Sequence, residues 1–154
     1  MSLIDGVSVR KLESIQGGMA QFYTPQSSNE TMLVQIPKGT IDELFVHRFQ
    51  TDQLLVVRGS FILVALHNKQ YHYIPLSEHK PQVITIPPGV PHGAINLSSK
   101  DCLLVNAVLR HGKAHPFDYR PMKLPFPYDF NKINDVLEDL SKLGFEEEKE
   151  AVLF

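Results

Sequence analysis

The sequence predicts an all-β fold, a sandwich or a barrel, followed by one C-terminal helix. Short apolar, β-branched runs recur between residues 31 and 109. Gly, Pro and Asn turns separate them at the spacing of a sandwich or barrel. Most prolines in that stretch sit between the runs, where a missing N–H does least harm.

Residues 31–37 (Thr-Met-Leu-Val-Gln-Ile-Pro) form a first strand, stopped by Pro37-Lys38-Gly39. Residues 53–58 form a second, ended by Gly59, and residues 60–66 a third. The polar turn His67-Asn68-Lys69 leads into a strand from Gln70 to Ile74. Val83 to Ile86 is another, closed by Pro87-Pro88-Gly89, and Leu103 to Leu109 is the last strong one. Residues 115–128 hold four prolines among aromatics and read as an ordered strap, because aromatic side chains want burial. Ile133, Val136, Leu137, Leu140 and Leu143 then recur at helical spacing. Asp129 or Asn131 is the expected cap, Gly144 the expected end, and residues 146–150 a solvated acidic tail. The organisation expected is a barrel with its strap over residues 1–128 and the helix with its tail over residues 129–154.

Composition narrows the function. Of the 154 residues, 43% are hydrophobic and 21% charged, which is globular composition. Fifteen basic against 17 acidic residues give a formal charge of -2, so no bulk attraction to nucleic acid is expected. A lone Cys102 excludes an internal disulfide and fits a reducing compartment. Met1 to Glu13 lacks the basic start and apolar run of a secretory signal. The longest apolar run, Phe61 to Leu66, is far too short to span a bilayer. A soluble cytoplasmic protein is expected, with a small-molecule ligand and neither nucleic acid nor membrane as partner.

The seven histidines matter by position, since histidine is the commonest metal ligand and a frequent acid–base group. Residues 87–96 read Pro-Pro-Gly-Val-Pro-His-Gly-Ala-Ile-Asn, and upstream lie Gly39, Phe45, His47, Asp52 and Gly59. Together these resemble the two cupin motifs, G-x(5)-H-x-H-x(4)-E-x(6)-G and G-x(5)-P-x-G-x(2)-H-x(3)-N. Pro87, Gly89, His92 and Asn96 match the second, with Pro81 in place of its leading glycine. In the first, both glycines and the second histidine match, while Phe45 replaces the first histidine and Asp52 the glutamate. On a strand, residues two apart share a face, which groups residue 45 with His47, Asp52 with Leu54 and Val56, and His92 with Ala94 and Asn96. The resemblance implies a double-stranded β-helix, a homodimer, and convergence of His47, Asp52 and His92 near the barrel mouth. Two imidazoles and a carboxylate suit one divalent transition metal (Fe, Mn, Ni or Zn). The other reading is a metal-free barrel with His47 and His92 as acid–base groups.

Within the cupins, His47 through Gly59-Ser60-Phe61, Ile86-Pro87-Pro88-Gly89, His92, Asp101-Cys102-Leu103-Leu104-Val105 and Asp118-Tyr119-Arg120 resemble nucleotide-sugar ketoisomerases and deoxysugar epimerases. That likeness implies a sugar-nucleotide isomerase or epimerase, with His47 and His92 moving protons beside a sugar ketone. Phe45, Arg58, Asn96 and Asn106 are the substrate-binding candidates. Arg48, Arg58, Arg110 and Arg120 are possible phosphate partners, Arg58 being the one with inward parity. The alternatives are a metal-dependent, dioxygenase- or isomerase-like cupin acting on a carboxylic or oxidisable compound, and a non-catalytic sensor barrel. Tyr71 and Tyr73 either stack on a ligand ring or join the packing. Cys102 is expected as a small buried residue, and His67, His72, His79, His111 and His115 as surface or supporting ones.

Overall fold

A computed structural model describes residues 2–4, 6–15, 20–22, 28–112 and 118–152. In chain order the strands are β1 (Ser2–Ile4), β2 (Val7–Lys11), β3 (Glu13–Ile15), β4 (Ala20–Phe22), β5 (Glu30–Ile36), β6 (Thr40–Ile41) and β7 (Leu44–Val46). Then come β8 (Gln50–Arg58), β9 (Ser60–His67), β10 (Gln70–Ser77), β11 (Gln82–Ile86), β12 (His92–Asn96), β13 (Cys102–Arg110), β14 (Arg120–Met122) and the helix α1 (Phe130–Val152). One sheet runs β1-β2-β11-β8-β13-β5 and the other β10-β9-β12-β7-β14, with β6 also paired to β12; β3 and β4 pair in a separate two-stranded sheet. The all-β expectation holds, and the two antiparallel sheets form a jelly roll. The strands at β2, β7 and β14 carry too few apolar residues in a row to be read from pattern alone.

The two large sheets face each other across one apolar layer. Leu54, Ile84 and Leu104 come from the first sheet; Phe61, Leu63 and Leu76 come from the second. A second layer lies between the second sheet and α1, with Ile62, Val64, Ile95, Tyr128, Ile133 and Leu140 at its centre. Strand β9 therefore feeds both layers, Phe61, Leu63 and Ala65 inward and Ile62 and Val64 toward the helix. Burial on both faces explains its unbroken apolar run.

Asp129 starts α1 as expected: its Oδ1 accepts from the amides of Asn131 at 3.1 Å and Lys132 at 3.2 Å. The expected end does not hold. The helix passes through Gly144 to Val152, because good helix formers follow and one glycine costs only about 1 kcal/mol. The 146–150 stretch is thus helical backbone. The strap is docked over its described part, with β14 paired to β7 and Tyr128 donating to the Asp42 carbonyl at 2.8 Å. His115 and the strap's first residues, through Phe117, lie outside the described residues. Tyr71 and Tyr73 pack against Tyr128, and Tyr71 donates to the Phe126 carbonyl at 2.6 Å, so they hold the strap. Among the described residues, no helix is long and apolar enough to cross a membrane.

Candidate active site at the barrel mouth

Register brings the motif residues together. Phe45 on β7 lies directly opposite His92 on β12. His47 follows β7, and its carbonyl accepts from the Gly89 amide at 2.7 Å, which ties the two motif segments together. Asp52 is inward on β8, level with Ile86. The structure thus gathers His47, Asp52 and His92, all buried, with one ligand-capable atom of each within 4.8 Å of the others.

Each imidazole is held by its inner nitrogen. His47 Nδ1–H donates to the Asp118 carbonyl at 3.1 Å, and His92 Nδ1–H to the Val90 carbonyl at 2.8 Å. A carbonyl can only accept, so in both rings Nε2 is the atom left for chemistry. Both point at one oxygen: Asp52 Oδ2 lies 3.5 Å from His47 Nε2 and 3.2 Å from His92 Nε2. Neutral rings in this tautomer would set lone pairs against a carboxylate. A proton or a cation shared among the three atoms removes the conflict. Asp118 does a second job, its carboxylate accepting from the amides of Arg48 and Phe49, so the strap fixes the start of β8.

The other oxygen of Asp52 is saturated by neutral donors, Gln50 Nε2 at 2.7 Å and Asn106 Nδ2 at 3.0 Å. Asn106 is oriented by its own Oδ1, which accepts from the Gln53 amide at 3.0 Å. Burial pushes the Asp52 carboxyl up, but the bonds from His92, Gln50 and Asn106 and the attraction of His92 outweigh it, and the group is lowered to about 2. Asp52 is therefore a fixed anion at neutral pH.

The triad opens into a cavity of about 480 Å³. Its walls are apolar, with Met32, Val34, Leu54, Leu63 and Leu104 among them, and its polar end is the triad with Gln50 and Asn106. Phe45 lines one side. Its ring centroid lies 4.4 Å from that of His92 and 4.6 Å from that of Tyr119, which stacks on it at the rim.

Two of the expected substrate-binding residues do not line the cavity. Asn96 is fully buried outside the cavity, its amide donating to the carbonyls of Ile36 and Lys100 and accepting from Ser98. It locks the turn after β12. Arg58 is exposed and does not line the cavity. Leu103 faces Arg58 while Leu104 faces Val56, so Val57 is an extra residue, a bulge that turns Arg58 to the outer face. Arg58 also sits six residues, or about 20 Å, along the strand from Asp52. Parity without the bulge could not show this. The inward arginine is Arg110, on the face of Leu104 and Asn106, and its partner Gln50 shares the face of Asp52. The period-2 rule that grouped Asp52 with Leu54 would have found both. Tyr119 had no such signal, because a strap obeys no period. Cys102 is fully buried, as expected.

No protein-family model and no curated protein sequence matches this chain. Solved structures do. A dTDP sugar isomerase from Desulfovibrio desulfuricans G20 aligns with a TM-score of 0.66 at 15% identity, over 83% of this chain and 92% of that one. A dTDP-4-dehydrorhamnose 3,5-epimerase from Sulfolobus tokodaii aligns at 0.65 and 18%, over 82% and 85%. A sugar 3,4-ketoisomerase from Thermoanaerobacterium thermosaccharolyticum, in complex with TDP, aligns at 0.62 and 17%, over 91% and 98%. This is the cupin fold. The likeness is one of fold and not of residue identity, and it extends to part of a capsular polysaccharide assembling protein, CapF from Staphylococcus aureus, at a TM-score of 0.56 and 20% identity over 66% of this chain and 30% of that one.

Proposed function

We propose that this cupin is a proton-transfer enzyme acting beside a carbonyl, of the sugar-nucleotide isomerase or epimerase kind. The observation that carries the reading is the convergence of His47 Nε2 and His92 Nε2 on the single carboxylate oxygen of Asp52 at the polar end of the cavity. In this reading His47, the imidazole farther from Asp52 Oδ2, takes the proton from carbon next to the carbonyl. The imidazolium formed is stabilised by Asp52, whose charge survives at neutral pH. His92, whose Nε2–H bonds to the same oxygen at 3.2 Å, returns a proton to the intermediate. Positioned acid–base groups of this type contribute about 10² to 10⁴ in rate. The apolar wall and the Phe45–Tyr119 stack line the space in which the enolate would develop.

A second reading is favoured by the same nitrogens. Imidazoles bonded through Nδ1 to carbonyls, with Nε2 turned toward a shared carboxylate, have the arrangement of metal ligands. His47, Asp52 and His92 would then hold a divalent Fe, Mn, Ni or Zn ion, which supplies a Lewis acid for a carbonyl oxygen. A homodimer belongs to either reading: Leu33, 74% exposed on edge strand β5, and Val57 on the outer face of the first sheet are apolar surface that a second copy would cover.

The test is deuterium exchange. The protein is incubated in D2O with a dTDP-4-dehydro sugar, and incorporation at ring carbon is followed by NMR with chelator and with added metal. Exchange that survives chelation and is lost in His47→Ala supports the first reading. Exchange that requires metal, with stoichiometric metal lost in His47→Ala and His92→Ala by elemental analysis, moves the assignment to the second. No exchange under either condition rejects the sugar-nucleotide substrate.

A further inference from the structure

The inward face of the first sheet continues past the triad. Gln50 is one inward step from Asp52 on β8, and Arg110 is its direct cross-strand partner on β13. Gln50 Nε2 donates to Asp52 Oδ1 at 2.7 Å, while Gln50 Oε1 accepts from Arg110 Nη1 at 3.1 Å. Glu30, at the start of β5, takes another N–H of the guanidinium. The Gln50 amide is thus held between a group with acceptors only and a group with donors only. Turning it over would set its oxygen against the Asp52 carboxylate and its NH2 against the guanidinium. Both contacts would be repulsive.

We propose that Arg110 is a positioning residue for this site, acting through Gln50. It fixes the amide so that Gln50 always donates to Asp52 Oδ1, which leaves Oδ2 as the only oxygen facing the two imidazoles. The bonds form a polarised chain, guanidinium to amide to carboxylate, in which the cation strengthens the donor that meets Asp52. The bland alternative is a surface ion pair. Glu30 is half exposed, and such pairs contribute little. The two differ in what they do to Gln50. An ion pair that stops at Glu30 leaves the Gln50 amide indifferent to Arg110.

The catalytic meaning of this relay rests on the Asp52–His92 pair of the preceding section, but its test needs no substrate. The side-chain amide protons of Gln50 and the Nε2 nitrogen of His92 are followed by 1H–15N NMR in the full-length protein and in Arg110→Met, Arg110→Lys and Glu30→Ala. Losing a charge-assisted partner should speed exchange of the Gln50 amide protons about tenfold or more in Arg110→Met and shift the His92 Nε2 resonance. Arg110→Lys, which keeps the charge and one donor, should restore most of both, and Glu30→Ala should leave both near the parent values. Melting curves confirm that each variant is folded. Unchanged Gln50 exchange in Arg110→Met, or an equal change in Glu30→Ala, overturns the proposal. Absence of deuterium exchange into substrate with the NMR signature intact would count against the proposed function and spare the relay.

Discussion

Asp52 lets the electrostatics of the site be measured without a ligand. Its carboxyl is buried, which by itself would raise its pKa; the bonds from His92, Gln50 and Asn106 overcome that and lower it from 3.8 to about 2. In the unfolded chain the group returns to its ordinary value. A folded pKa below the unfolded one means that the native state favours the ionised form. The stabilisation is complete above about pH 4 and is lost as pH falls through about 2. A shift of a little under two units, at about 1.36 kcal/mol per unit, comes to about 2 kcal/mol. Urea unfolding at about pH 6 and about pH 2 measures the loss on acidification, and the loss in Asp52→Asn is subtracted from it. Other carboxylates titrate in both proteins and cancel. The parent should lose about 2 kcal/mol more than the variant. Equal losses would refute the reasoning, because they would mean that the three donors do no more for the carboxylate than its burial takes away.

Other consequences are open to direct measurement. Ile133 is fully buried between α1 and the second sheet, so Ile133→Ala should cost about 2–5 kcal/mol by chemical denaturation. Asn96→Ala should cost about 1–3 kcal/mol by leaving the buried carbonyl of Ile36 unpaired, with ligand affinity at the cavity unchanged in a binding titration. The Cys102 thiol is pushed up to about 12 by burial and by Glu78, so a thiol reagent at neutral pH should react with it only after unfolding. Phe45→His places a third imidazole directly opposite His92, and calorimetric titration should show tighter binding of zinc or manganese than the parent gives.

Most strands that were legible in the sequence are buried on one or both faces. β8, β9, β11 and β13 announce themselves through apolar, β-branched runs, since their partners demand apolar side chains, whereas β5, exposed along most of its length, was legible from its own run and the Pro37 stop. β7 and β14 were not. They are three residues each and are held by pairing with each other and by the strap. At the site, Phe45, His47, Asp52 and His92 were legible through the likeness to the cupin motifs, strand period only permitting their convergence, and Asn106 as the one amide in an apolar run. Period assigns neither height nor the effect of one inserted residue. Arg58 was therefore expected at the mouth and lies outside, while Arg110, four residues beyond Asn106 and on its face, is the arginine that reaches the polar network. Asn96 shows the remaining limit: parity directs it inward, and backbone carbonyls claim it before the cavity can.

Residue 45 separates the two chemistries that the site could support. An imidazole there would add a nitrogen donor beside His47 and His92, and Asp52 would complete a four-ligand set. A phenyl ring removes that donor and replaces it with apolar surface against His92 and under Tyr119. A divalent ion then has three protein ligands and one wall it cannot bond. The same wall favours a shared proton. Excluding water lowers the effective dielectric constant around Asp52, and the attraction between its carboxylate and an imidazolium at 3.2 Å grows as that constant falls. The loss of the third histidine therefore weakens one function and strengthens the other at a single position. Arg110 and Gln50 act in the same direction, since they keep one carboxylate oxygen occupied and leave a single oxygen, rather than a bidentate pair, to face whatever the two imidazoles share.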